Sequence, residues 1–157
     1  MKLGELLKEG LILVGFQARD KWEAITRLVD LLIAQGRLRE DQRTGAFAAL
    51  AAREKVASTG MEFGVALPHA SVEGLESALA AVGLSPAGVP FQAPDGQPAR
   101  IVVLLLIPHR ERLRHTSTLA SIARLLNYEE TREALTRARN AREAFQVIRD
   151  EEDRTPA

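Results

Sequence analysis

Cysteine is absent from this 157-residue chain, which excludes a disulfide framework and any thiolate metal site. An excess of either charge is absent too, with 21 basic residues against 21 acidic ones. A nucleic-acid binder carries a basic surplus gathered on one face, so that class of partner is not expected. Long apolar runs are also missing. The longest, residues 101–107, is far short of the roughly 20 residues that span a bilayer, so the chain is not expected to be membrane-embedded. The N-terminus, Met1-Lys2-Leu3-Gly4-Glu5, places a carboxylate where a secretory leader needs net positive charge. No internal repeat or linker is visible. The expectation is a cytoplasmic globular protein, a single domain over residues 1–150 with a disordered tail over residues 151–157. A domain of this size buries enough surface to need no covalent staple.

The elements that are present change character along the chain. Asp20 and Glu23 form a capping box ahead of Ile25, Leu28, Val29, Leu32 and Ile33, which recur at helical spacing up to a stop at Gly36. A second, alanine-rich helix is predicted from Glu40 or Asp41 to Arg53, with Phe47 and Leu50 inward. Gly64-Val65-Ala66-Leu67-Pro68 reads as a short strand ended by proline, and residues 78–84 form another uncharged apolar run. Pro94-Asp95-Gly96 marks a turn, in which Asp starts the bend and Gly accepts positive φ. Residues 101–107 are apolar on both alternating faces, the mark of a central strand covered by helices on both sides. A helix starting near Arg112 follows, carrying Leu119, Ile122, Ala123 and Leu126. A last one opens at Asn140 with Glu143 three residues on. The pattern specifies an α/β fold, a mixed central sheet flanked by helices on both faces.

Chemistry has few carriers here. Of three histidines, His69 follows Pro68 at a strand end, where proline stiffens the backbone beneath it. Imidazole is a nucleophile at neutral pH and can release what it accepts; a ring that merely caps a carbonyl or faces water is the plainer alternative. His115 shares one helix face with Leu119, Ile122 and Leu126, so its first-turn position overhangs the sheet edge where helix amides favour an anion. A partly buried histidine with one satisfied hydrogen bond fits the same pattern. Arg53 ends the alanine-rich helix just before Ser58-Thr59-Gly60, and its planar fork of donors matches phosphoryl oxygens. A surface arginine beside a flexible loop is its simpler alternative. Arg110, Arg112 and Arg114 look like a basic guard for His115, although arginines at a helix start are usually a solvated face.

Rival chemistries lack their signatures. His109 and His115 lie six apart across a loop, with no His-x3-His pair and no paired-carboxylate motif to hold zinc. No serine sits between glycines as a hydrolase nucleophile would, and no glycine-rich phosphate loop ends in lysine.

Taken together, Arg53-Glu54, Thr59-Gly60 and Gly64-Val65-Ala66-Leu67-Pro68-His69, followed by the 101–107 strand and His115-x3-Leu119-x2-Ile122-Ala123-x2-Leu126, resemble the IIA proteins of the bacterial phosphoenolpyruvate phosphotransferase system. The likeness is to the fructose, mannitol and nitrogen-regulatory type and covers nearly the whole chain. It implies an α/β/α sandwich and phosphorylation of His69 through Nε2. The donor implied is phospho-HPr or its nitrogen-branch homologue. Arg53 would bind and orient the phosphoryl oxygens, His115 would lie against His69, and Thr59 and Gly60 would shape the phosphate-binding loop. No metal ion and no cofactor is expected. The chain departs from the family at Met61-Glu62-Phe63, where a small, glycine-bearing stretch is common, and at Ala70, where glycine is frequent.

Two jobs follow from that likeness. A regulatory IIA changes the target protein it binds according to whether His69 is phosphorylated; a sugar-transport IIA passes the group to a separate IIB. The free-standing domain favours the regulatory one. A binding module that has lost phosphotransfer is the alternative from another class, and a metal-dependent hydrolase is a distant third.

Overall fold

The computed structural model describes residues 1–154. A short helix α1 (Leu3–Leu6) and a 3-10 turn lead into strand β1 (Ile12–Val14) and helix α2 (Lys21–Ala34). A second 3-10 turn precedes helix α3 (Arg43–Val56), followed by strands β2 (Gly60–Met61), β3 (Val65–Ala66), β4 (His69–Val72), β5 (Leu79–Val89) and β6 (Ala99–Pro108). Helices α4 (Thr116–Leu126), α5 (Glu129–Arg137) and α6 (Ala141–Arg154) complete the described chain.

Local sequence accounts for the helix ends. The Asp20 carboxylate accepts from the Glu23 amide at 2.9 Å, and Asn140 accepts from the Glu143 amide at 2.9 Å. The return half of each expected capping box is displaced by one residue. Glu23 accepts from the Arg19 amide and Glu143 from the Arg139 amide, because each carboxylate also pairs with the guanidinium of that same arginine. Helix α2 stops where expected. Gly36, at φ 72°, bonds back to the Ile33 carbonyl while Arg37 bonds back to Leu32, closing the helix with a left-handed residue.

The sheet is mixed, in the order β1-β5-β6-β3-β2, with β4 also paired to β6. Strand β6 is central, antiparallel to β5 and parallel to β3 and β4. Its residues 101–106 are each 1 % exposed or less, as a strand covered on both faces must be. Val65 pairs with Ile101 and His69 with Leu105, so β3 and β4 are one strand in one register, interrupted at Pro68. The interruption is the proline's own doing, since it has no N–H for the ladder. Its carbonyl still accepts from Leu105 at 3.0 Å.

The helices form two packed groups with the sheet between them. Helices α2 and α3 pack together, α2 on β5 and α3 on β4. Helix α6 packs on α1, α5 and β1, while α5 packs on β5 and β6 and touches α4. Apolar side chains from both groups and the sheet make a single core. The α/β/α sandwich is therefore as the sequence implied.

Three expectations are corrected. The alanine-rich helix runs on to Val56, so Arg53 lies in its last turn and not at its end. The helix expected from Arg112 begins at Thr116, because residues 109–111 form a 3-10 turn first. The tail expected from residue 151 is helical through Arg154, where buried Glu152 accepts from the Gly4 amide at 3.0 Å and ties α6 to the N-terminus. Residues 155–157 of that tail lie outside the described residues.

Candidate functional site

His69 does not end a strand; it opens β4, with its Cα opposite Leu105 of the buried central strand. The ring is half-buried, and its Nδ1 lies 2.8 Å from the Leu67 carbonyl oxygen. A carbonyl can only accept, so Nδ1 carries the hydrogen and Nε2 keeps a lone pair. Burial holds the imidazole below its ordinary pKa; the Leu67 carbonyl pulls it upward, Arg53 lowers it further and Glu54 opposes Arg53. The net result is a neutral ring with one fixed tautomer and one free nucleophilic nitrogen.

Arg53 is brought to this ring by packing, since α3 lies on β4. Its Nη1 donates to the Ala57 carbonyl at 2.7 Å, just past the helix end. That single bond fixes the head and leaves Nε and Nη2 as a fork for an anion.

Beneath the loop lies a buried polar cluster that the sequence reading did not single out. Glu54, whose side chain is 1 % exposed, accepts from the Thr59 amide and the Thr59 hydroxyl, both at 2.7 Å. Lys21 Nζ stands 3.8 Å from the same carboxylate, 3.5 Å from Ser58 Oγ, and within 6.0 Å of the Trp22 and Phe91 ring centres. Ser58 donates to the Phe91 carbonyl and accepts from the Gly60 amide at 3.0 Å. Thr59 and Gly60 thus have their donors committed inside the protein, and what they supply is the shape of the loop. Gly60 is required there by space, because an added Cβ would sit 2.8 Å from the Phe91 carbonyl oxygen.

His115 is 5 % exposed and stands at the N-cap of α4, just ahead of the helix and not within its first turn as expected. Its Nδ1 lies 3.0 Å from the Thr118 hydroxyl and its Nε2 3.9 Å from a Glu111 carboxylate oxygen. Among the described residues, neither ring nitrogen is hydrogen-bonded to His69 or Arg53. The arginines around it are already engaged: Arg110 donates to the Leu75 and Glu76 carbonyls, Arg112 to the His109 carbonyl, and Arg114 pairs with Glu111.

At the divergent Met61-Glu62-Phe63 stretch, Glu62 is exposed to solvent. Phe63 takes a positive φ of 67°, its amide donates to Asp95 at 2.8 Å, and the Arg132 guanidinium lies 4.6 Å from its ring centre. The turn at residues 94–96, closed by Gly96 N–H to the Ala93 carbonyl, therefore anchors this loop. No group of three or more histidine and acidic side chains among the described residues is placed to hold a metal ion. No helix among them is long and apolar enough to cross a membrane.

A mixed six-stranded sheet between helical layers, with a tautomer-fixed histidine beside an arginine, defines the class of protein. Residues 5–151 match the family described as the phosphoenolpyruvate-dependent sugar phosphotransferase system, EIIA 2, and the chain belongs to it. It is 31 % identical over 150 residues to a nitrogen regulatory protein of Pseudomonas aeruginosa, covering 96 % of each chain. It is 35 % identical over 127 residues to a fructose-specific EIIA component of Haloferax volcanii, covering 81 % of this chain and 79 % of that one. The crystal structure of nitrogen regulatory protein IIA-Ntr from Neisseria meningitidis superposes with a TM-score of 0.83 at 29 % identity, over 93 % of this chain and 98 % of that one.

Proposed function

We propose that this cytoplasmic chain is a phosphocarrier that accepts a phosphoryl group on Nε2 of His69 from phospho-HPr or a nitrogen-branch homologue. Its state of phosphorylation then regulates a target protein. The observation that carries the reading is the bond from His69 Nδ1–H to the Leu67 carbonyl, which leaves Nε2 as the one free nitrogen. Its lone pair attacks phosphorus as the donor's P–N bond breaks, and the donor imidazole leaves with that electron pair. Arg53 offers two nitrogens to the phosphoryl oxygens and balances their charge, so positioning and electrostatics supply the catalysis. Regulation is supported by end-to-end similarity to nitrogen regulatory proteins.

The test is incubation with enzyme I, HPr and phosphoenolpyruvate, in parallel with the nitrogen-branch donors, beside His69→Ala. Acid-labile, base-stable phosphate on the parent and none on the variant is expected. Parent chain unlabelled by both donor sets would end the reading and leave a binding module. Similarity to a fructose-specific EIIA supports a second reading, transfer onward to a IIB; loss of label on adding a sugar-branch IIB would favour it.

A further inference from the structure

The buried pair beneath the loop has no part in the chemistry just described, yet it is costly to bury. An ion pair taken out of water offsets its desolvation only where further hydrogen bonds meet its lone pairs and protons. Here each carboxylate oxygen has one such bond, while the ammonium has a 3.5 Å contact with the Ser58 hydroxyl and stands 3.8 Å from the carboxylate. Both Glu54 oxygens accept from Thr59, and Lys21 is the counter-ion, sandwiched among Trp22, Phe91 and Ser58. Glu54 follows Arg53 on α3, and the segment it ties down, residues 57–60, contains the Ala57 carbonyl that takes the Arg53 guanidinium. The carboxylate is thus linked to Arg53 twice, through the helix and through the loop.

We propose that Glu54, with Lys21 as its counter-ion, is a positioning residue for phosphoryl transfer: it clamps the 57–60 segment so that the Ala57 carbonyl holds the Arg53 fork beside His69. Glu54 touches no phosphoryl oxygen in this role; it acts through Thr59 and Ala57. Its charge also offsets that of Arg53 at the His69 ring, keeping the imidazole a better nucleophile than Arg53 alone would leave it. The role presupposes phosphotransfer at His69.

The test compares full-length Glu54→Gln, Lys21→Met and the double variant Lys21→Met/Glu54→Gln with the parent. Three measurements are made: thermal melting, nitrogen NMR of the His69 ring and Arg53 Nε, and the rate of phosphoryl acceptance from phospho-HPr. The expected result for Glu54→Gln is a fall in rate of about tenfold or more, a displaced Arg53 Nε signal, and a His69 titration moved to lower pH. Should the lone buried charge unfold either single variant, the neutral double variant decides, since replacing both partners removes the unpaired charge. A folded variant that accepts phosphate at the parent rate, with Arg53 and His69 signals unmoved, would overturn the proposal even if its melting temperature fell. If the parent itself accepts no phosphate, the phosphocarrier reading fails, and the two NMR signals still decide whether Glu54 positions Arg53.

Discussion

The Nδ1–H of His69 donates to the carbonyl oxygen of Leu67, two residues earlier, across 2.8 Å. The bond spans Pro68, the residue that breaks the strand ladder. The imidazole is thereby held by its own chain and needs no third residue to set its tautomer.

The ring's burial, which outweighs the upward pull of that bond, predicts the pH behaviour. Folded His69 releases its proton more readily than an unfolded histidine, whose value is about 6.5. Its contribution to stability is therefore complete above that pH and is lost as pH falls from there toward the folded value. Phosphoryl acceptance should hold its plateau somewhat below about pH 6.5 before protonation of Nε2 stops it. Initial rates across that range, beside an NMR titration of the ring, check the sign; a half-fall above the ordinary value would contradict it.

Arg53→Lys keeps the charge and discards the fork. With one donor already given to Ala57, a lysine cannot both hold the loop and bracket two oxygens. A slowing of about tenfold, equal to 1.4 kcal/mol of transition-state stabilisation, is expected with little change in melting temperature. Single-turnover transfer rates decide it; an unchanged rate removes Arg53 from the site.

His115 is buried, so His115→Ala should cost both stability and transfer and would not separate the two. Asparagine can imitate Nδ1 and keep the Thr118 partner, while glutamine reaches toward the Nε2 position. If Nε2 serves the phosphoryl group, His115→Asn should fold and transfer slowly, and His115→Gln should recover part of the rate. Equal rates in both, with equal losses of melting temperature, would make His115 purely structural.

Gly60→Ala should be destabilising, because the loop has no room for a side chain there. The new methyl would press on the Phe91 carbonyl and on Ala93, backbone atoms that cannot swing aside. A loss of about 1–3 kcal/mol is expected by denaturant titration, from overpacking alone. A neutral result would mean that β2 yields more easily than its pairing with Ala66 suggests.

The sequence made the large features legible and the economical ones invisible. Residues 101–107 advertise a central strand because both faces are apolar, and Asp20 with the stripe from Ile25 advertises α2. Helix α5 escaped because only Thr131 and Leu135 of its nine residues are buried, too sparse a stripe to show a period. Strands β1 and β2, of three and two residues, are too short for alternation to register. At the site, Pro68-His69 and Arg53 stood out as chemistry. Lys21 and Glu54 did not, because a lysine and a glutamate in charged helical segments read as solvated surface until the tertiary fold brings them together. His115 was expected inside a helix starting near Arg112 and instead caps one that begins four residues later, since the preceding 3-10 turn carries no pattern of its own.

The shared register of β3 and β4 against β6 bears on how this segment can vary through descent. Val65 and Ala66 before the interruption and His69 to Val72 after it are counted off against fixed partners in one register, and successive side chains of a strand point to opposite faces. One extra residue between Ala66 and His69 would carry the imidazole into the seat of Ala70, which is 7 % exposed, and turn its nitrogens into the core. Letters here are exchangeable within limits of size, but spacing is not. Lineages that keep the histidine in use should accumulate substitutions along this stretch and no gaps.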